Sequence, residues 1–133
     1  MKSKKLLTAS IIAVIGALIV IPTGVSYAAN FVGTSGPDNI TGTSSADRIT
    51  TGDGDDIVSG LEGDDRISTG NGVDIVSGGD GADKITTGNG DDRIDLFETS
   101  PSIDRVECGE GIDTVSNADG NDILLGCENV TYV

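Results

Sequence analysis

The chain has 133 residues, of which 22 are acidic and 8 basic, for a net charge of −14. It contains no histidine and no tryptophan, its aromatic content is 3%, and 20 residues are glycine. So acidic a chain repels phosphates, which excludes nucleic acid as a partner. Without histidine no Ser–His or Cys–His pair can be assembled, and so few bulky side chains cannot fill an ordinary globular core.

At the N-terminus Lys2, Lys4 and Lys5 precede an apolar run from Leu6 to Ile21, broken by Pro22 and Gly24, before Ser26-Tyr27-Ala28. This layout predicts a secretory signal peptide over 1–28, cut after Ala28. The other reading is an uncleaved anchor, but the run falls short of the roughly 20 residues of a membrane span. The exported chain, 29–133, is then one secreted or cell-surface domain without a membrane span. Its 22 acidic residues face 5 basic ones, for a net charge of −17. Such a chain should be disordered unless something neutralises it.

After a lead-in at 29–32, one nine-residue phrase is written seven times: GTSGPDNIT (33–41), GTSSADRIT (42–50), TGDGDDIVS (51–59), GLEGDDRIS (60–68), TGNGVDIVS (69–77), GGDGADKIT (78–86) and TGNGDDRID (87–95). The sixth position is always Asp and the eighth always Ile or Val. A unit this short cannot bury its own apolar side chain, so the units must stack into a coil. The first six residues read as a glycine-rich turn and the last three as a short strand. The middle strand residue faces inward, so Ile40, Ile49, Val58, Ile67, Val76, Ile85 and Ile94 form a thin core.

A finer period of 18 separates odd from even units, as in Ile57 and Ile75 against Arg48, Arg66 and Lys84 at the seventh position. Two units per turn explain it. Odd strands make one sheet and even strands the other, with rungs roughly 4.8 Å apart. One outer face then carries a basic ladder and the other sets Ile57 beside Ile75. Leu96-Phe97-Glu98 interrupts the array, which resumes in degenerate form over 99–125 with Asp104, Asp113 and Asp122 at the sixth place. Residues 126–133 form a C-terminal cap. Cys108 and Cys127 lie 19 residues apart, close to one coil. The rung spacing suits a disulfide, which would staple the last coil to the one before it.

Gly78-Gly79-Asp80-Gly81-Ala82-Asp83-Lys84-Ile85-Thr86 matches the consensus G-G-x-G-x-D-x-U-x at every fixed position. The array therefore resembles the RTX, or haemolysin-type, calcium-binding repeats. The resemblance implies an all-β fold, a right-handed parallel β-roll of two short-stranded sheets. It also implies calcium between loops on the same edge in successive turns, held by sixth-position carboxylates and turn carbonyls. Carried over, Asp38, Asp56, Asp74 and Asp92 line one edge and Asp47, Asp65 and Asp83 the other, which allows about five calcium ions. Asp53, Glu62, Asn71, Asp80 and Asn89 at the third position are candidate helpers. Calcium also suits the chemistry, since it accepts six to eight oxygens in loose geometry, whereas zinc and copper favour the nitrogen and sulfur ligands scarce here. Two features depart from the family. Many RTX proteins carry a C-terminal export signal and no N-terminal one, and copies 33–41 and 42–50 lack the glycine pair, so weak sites are expected there.

Other readings were weighed. The Asp columns could merely cap turns. Arg48, Arg66 and Lys84 are expected to balance acids such as Asp64 and Asp65; gripping a polyanionic polysaccharide is the alternative. Thr50-Thr51, Ser68-Thr69 and Thr86-Thr87 stack into a hydroxyl row resembling ice-binding faces of some solenoids. Asn39-Ile40-Thr41 and Asn129-Val130-Thr131 match the glycosylation sequon. Asp53-Gly54-Asp55-Asp56 is no EF-hand, because Val58 and Asp64 stand where that loop needs Gly and Glu. The sequence thus predicts an exported, monomeric calcium-binding β-roll that folds with its metal and has no catalysis of its own. The alternative is an adhesion or carbohydrate-binding module using an outer face.

Overall fold

The structure is a computed structural model that describes residues 28–133; the signal-peptide expectation lies outside the described residues, Ala28 apart. Every regular element among them is a strand. In chain order these are β1 (Asn30–Val32), β2 (Asn39–Thr41), β3 (Arg48–Asp53), β4 (Ile57–Glu62), β5 (Arg66–Asn71) and β6 (Ile75–Asp80). There follow β7 (Lys84–Asn89), β8 (Arg93–Asp95), β9 (Arg105–Glu110), β10 (Thr114–Ala118), β11 (Ile123–Leu125) and β12 (Asn129–Tyr132). Two parallel six-stranded sheets result, β1-β3-β5-β7-β9-β11 and β2-β4-β6-β8-β10-β12. Arg48 pairs with Arg66 and Ile57 with Ile75, so one turn advances 18 residues. This is the expected parallel roll with odd and even units in separate sheets.

The eighth-position side chains close the interior. Ile40, Val58, Val76, Ile94 and Val115 stack in one sheet, and Phe31, Ile49, Ile67, Ile85 and Val106 in the other, all buried in one cluster. The core is a single file from each wall. β-Branched side chains suit it because they pack well on a pleated surface.

Four details differ from the sequence reading. The lead-in is itself a rung: β1 pairs with β3, and Phe31 is fully buried under the N-terminal turn. The strands also run into the turn. In β3, β5 and β7 they include the first three residues of the next unit, and Gly52 and Asp53 pair with Gly70 and Asn71. Glycine permits this. Gly70 has φ 112°, and a Cβ on it would collide with the Gly52 carbonyl oxygen of the rung before. Third, the insertion sits one residue later than expected. Leu96 is buried in register, its N–H donating to the Ser116 carbonyl, and the extra residues swell the loop that follows it. The shift shows in the Lys84–Arg105 pairing, 21 residues apart.

Fourth, the hydroxyl row is split. Thr51, Thr69 and Thr87 are buried, and their hydroxyls donate to the carbonyls of Thr69, Thr87 and Cys108 at 3.0, 3.1 and 2.7 Å. Only Thr50, Ser68 and Thr86 remain on the outer face, so no double hydroxyl row exists. The basic ladder does not balance acids either. Among the described residues the one ion pair is Arg105–Glu107 at 3.3 Å. Asp65 is buried and Asp64 accepts the Ala82 N–H, so neither meets the cations on the sheet face.

Cys108 and Cys127 form the expected disulfide, with Cα atoms 5.3 Å apart. Replacing both by serine is expected to lower unfolding stability by roughly 3 kcal/mol, read from the denaturant midpoint, with β11 and β12 losing hydrogen-exchange protection first. A second expectation concerns Leu61, which stands at φ 83° where the units at 51–59, 69–77, 78–86 and 87–95 carry glycine. Its side chain is 44% exposed, so little burial is lost on removing it. Leu61→Gly should raise stability by about 1 kcal/mol, measured in the same denaturation experiment.

Candidate metal centre

Each sixth-position aspartate sits where a glycine turn enters a strand, and all seven point inward. Asp56 and Asp74 are fully buried and none of the seven is more than 9% exposed. The reason is a ladder between turns. The Asp38 N–H donates to Asp56 Oδ1 at 2.8 Å, that of Asp56 to Asp74 at 2.9 Å, and that of Asp74 to Asp92 at 2.9 Å. On the other edge Asp47 donates to Asp65 at 2.7 Å and Asp65 to Asp83 at 2.8 Å. The structure therefore brings the predicted residues into the two predicted columns.

The second carboxylate oxygen separates the rungs. In the first two turns it is satisfied by protein. Asp38 Oδ2 accepts the Thr34 N–H at 2.6 Å, and Asp47 Oδ2 accepts the Thr43 N–H at 2.5 Å and its hydroxyl at 2.9 Å. Beyond them, Oδ2 of Asp56, Asp65, Asp74, Asp83, Asp92 and Asp113 is buried without any hydrogen-bond partner. A buried polar atom left unpaired is costly.

The neighbouring carbonyls follow the same division. The Thr34 hydroxyl donates to the Gly36 carbonyl at 3.2 Å, and the Thr43 hydroxyl donates to that of Ser45 at 3.4 Å. In the following turns the corresponding carbonyls of Gly54, Gly63, Gly72 and Gly90 accept no hydrogen bond among the described residues. The Thr43 hydroxyl therefore sits between a turn carbonyl and a buried carboxylate, its single proton best placed for the carboxylate. Units with glycine at that position leave the same two oxygens without a donor.

Burial pushes these carboxyl groups up. Asp65 rises to about 7, chiefly by burial, opposed by the Asp47 N–H and reinforced by the charges of Asp47 and Asp64. Asp83 rises to about 8 for the same first reason, with Asp104 and Asp65 adding repulsion. Asp56, Asp92 and Asp113 shift upward, also mainly through burial.

The columns run further than the seven regular units. Asp83 N–H donates to Asp104 Oδ1, Asp92 N–H to Asp113 Oδ1, and Asp104 N–H to Asp122 Oδ1. These three hold the sixth place of the degenerate units, so the signal was present but weak. Glu128, which accepts the Asp113 N–H at 2.9 Å, had none, because its spacing of 15 lies off the period. Asp122 Oδ2 accepts the Asp119 N–H, so this terminal carboxylate is satisfied.

The third-position residues stand elsewhere. Asn71 Nδ2 donates to Asp53 Oδ1 and Asn89 Nδ2 to Asn71 Oδ1, both at 2.7 Å, as an exposed outer ladder. Asp80 accepts from the Thr99 N–H and hydroxyl, and Glu62 is exposed. Among the described residues no three acidic or cysteine side chains converge on one point. A cation held here must therefore draw on main-chain oxygens, which suits a hard ion with many oxygen ligands rather than one needing a compact side-chain cage.

The chain was compared with known proteins. The family profile of the RTX calcium-binding nonapeptide repeat matches residues 32–67 and 68–96, in 4 copies. No curated protein and no solved structure matches.

The raised carboxyl groups set a pH dependence in chelator. An unfolded aspartate titrates near 3.8, while Asp104, Asp65 and Asp83 in the roll hold their protons to about 6, 7 and 8. Their contribution to stability is full below the unfolded value and is lost as pH climbs through the folded ones. Circular dichroism in EDTA should therefore show sheet gained on acidification from pH 8 to about 5; a metal-free roll that grows more stable toward pH 8 would contradict this.

Proposed function

Since residues 32–96 belong to the RTX calcium-binding nonapeptide repeat family, we propose that the chain is an exported β-roll that binds calcium between successive turns and folds with it. The observation that carries this reading is the set of buried, partnerless Oδ2 atoms stacked on each edge. The Thr43 hydroxyl supports it. In the second turn the Thr43 hydroxyl sits between a turn carbonyl and the sixth-position carboxylate and donates to the carboxylate, and a cation would satisfy both of the corresponding oxygens where threonine is absent.

On this reading four spaces have a free Oδ2 on both bounding carboxylates: Asp56/Asp74, Asp74/Asp92 and Asp92/Asp113 on one edge, and Asp65/Asp83 on the other. Asp38 and Asp47, already satisfied by threonine, bound weaker spaces. In the space between Asp83 and Asp104 the Gly81 carbonyl is occupied by the Ser102 hydroxyl at 2.8 Å. Asp53, Asn71, Asp80 and Asn89 act on the outer edges and order the loops. When bound, calcium supplies the positive charge that lets stacked carboxylates stay ionised. The chain's part is to present them in register and to exclude water from them. The role is metal-binding and architectural, not catalytic. Modules of this kind outside the cell work at about 10⁻⁴–10⁻³ M calcium, and each ion bound only by the folded state adds to its stability.

Far-UV circular dichroism during calcium titration tests the proposal. Calcium should convert the chain from coil to sheet, and magnesium at equal concentration should not, because it demands a stricter octahedron and sheds water reluctantly. A sheet spectrum in excess chelator at pH 8, unchanged by calcium, would refute coupled folding. Two variants probe the ligands by calorimetric stoichiometry. Asp74→Ala removes a carboxylate shared by two spaces and should lower the number of ions bound by about two. Thr43→Gly removes the hydroxyl from Asp47 and, with glycine free to turn the residue-43 N–H away as in the later units, should add up to about one ion on that edge.

A further inference from the structure

One face of the roll has a second, separate set of unpartnered groups. In β3, β5 and β7 the outward seventh-position side chains are Arg48, Arg66 and Lys84, and the ninth-position ones are Thr50, Ser68 and Thr86. Between the two columns runs a shallow groove lined by all six. None of the three cations has an ion pair or hydrogen bond, and none of the three hydroxyls is bonded, among the described residues. In the next rung Arg105 and Glu107 hold the matching positions and pair with each other. The opposite face carries Ile57, Ile75 and Arg93 at the matching positions, a single cation rather than a row.

In a chain with net charge −17 over residues 29–133, three cations left unpaired in a row are unexpected, because acidic side chains within reach would ordinarily pair with them. The sixth-position acids are folded into the interior, and Glu107 on the same face is taken by Arg105. The result is a row of cations repeating at the rung spacing of roughly 4.8 Å, with a parallel row of hydroxyls beside it. An extended hexuronate chain offers the complement, one carboxylate and several hydroxyls per sugar at a comparable repeat. Guanidinium groups suit carboxylates because their fork binds both oxygens, and the hydroxyl row suits sugar hydroxyls. A single-stranded nucleic acid fits less well, since the groove offers no aromatic surface for base stacking.

We propose that this groove binds a linear carboxylated polysaccharide, with Arg66 at its centre. The site is distinct from the metal columns and goes beyond the calcium reading. It is tested on the calcium-loaded protein by titration calorimetry with oligogalacturonates too short to gel with calcium. Methyl-esterified oligomers of the same length and a single-stranded oligonucleotide serve as comparisons. The acidic oligomer should bind, weakening as salt is raised, and the esterified one should bind at least tenfold more weakly. Arg66→Glu, and to a lesser degree Arg66→Gln, should weaken binding about tenfold or more, while Ile57→Glu on the other face leaves it unchanged.

Equal binding of the esterified oligomer, tighter binding of the oligonucleotide, no binding at all, or unchanged binding by Arg66→Glu would each overturn the proposal. The last outcome would show calcium bridging rather than the cation row to be the attachment. Circular dichroism of each variant in calcium separates this failure from the other. A roll that forms with calcium yet ignores Arg66 sinks the glycan site alone, whereas a chain that calcium does not fold sinks the metal reading.

Discussion

The constraint on which the rest depends is that one side chain both sets the register and carries the charge. From Asp56 and Asp65 onward, each sixth-position aspartate receives, at Oδ1, the main-chain N–H of its counterpart one turn earlier. The bond exists only if turns stack in frame, so it keys every rung to its neighbours. It also drags the carboxylate inside, with Oδ2 bare in the middle turns. Neighbouring carboxylates roughly 5 Å apart repel by about 3 kcal/mol even at an effective dielectric near 20. The interaction that makes the roll regular thus also concentrates negative charge along both of its edges.

Little apolar packing opposes that charge. The apolar interior is one residue deep on each wall, and the turns depend on glycines whose backbones touch the rung before, as at Gly70 and Gly52. Glycine is what allows the turns to stack so closely, and it also leaves the unfolded chain with the most freedom to lose. A design with little core and much glycine needs an added source of order. The disulfide supplies one at the C-terminal end, but no comparable covalent link spans the middle turns.

Most of the architecture was legible because the period carries it. Asp at the sixth place and Ile or Val at the eighth place fixed both sheets, the core file and the columns. Spacing alone paired Cys108 with Cys127. What escaped was what the period does not encode. β1 was read as a lead-in because Asn30–Val32 precedes the first full phrase, although Phe31 fills the same inward position as Ile49. The 18-residue period stacks Thr51, Thr69 and Thr87 beside Thr50, Ser68 and Thr86 but does not say which way each faces; the first three turn in, and each satisfies a buried carbonyl. At the third position the strand continues, and Asn71 and Asn89 join an exposed side-chain ladder that the nine-residue period does not encode. The closing of Asp38 and Asp47 by Thr34 and Thr43 was visible only as a missing glycine pair, and its cause appears only in the hydrogen bonds.

The ends and the middle of the roll solve the same electrostatic problem differently. At the N-terminus threonine donors meet Asp38 and Asp47, and at the C-terminus Asp119 N–H meets Asp122. These turns need no external partner for their carboxylates, so they can cap the stack. In the middle, each of Asp74 and Asp92 borders two spaces and belongs to both. If calcium fills those spaces, ordering one turn places a ligand for the next, and binding becomes a nearest-neighbour process along the axis. A metal-independent first turn followed by shared ligands gives such a process a starting point and a direction. The threonines that weaken the first sites are then what allows the later ones to fill together.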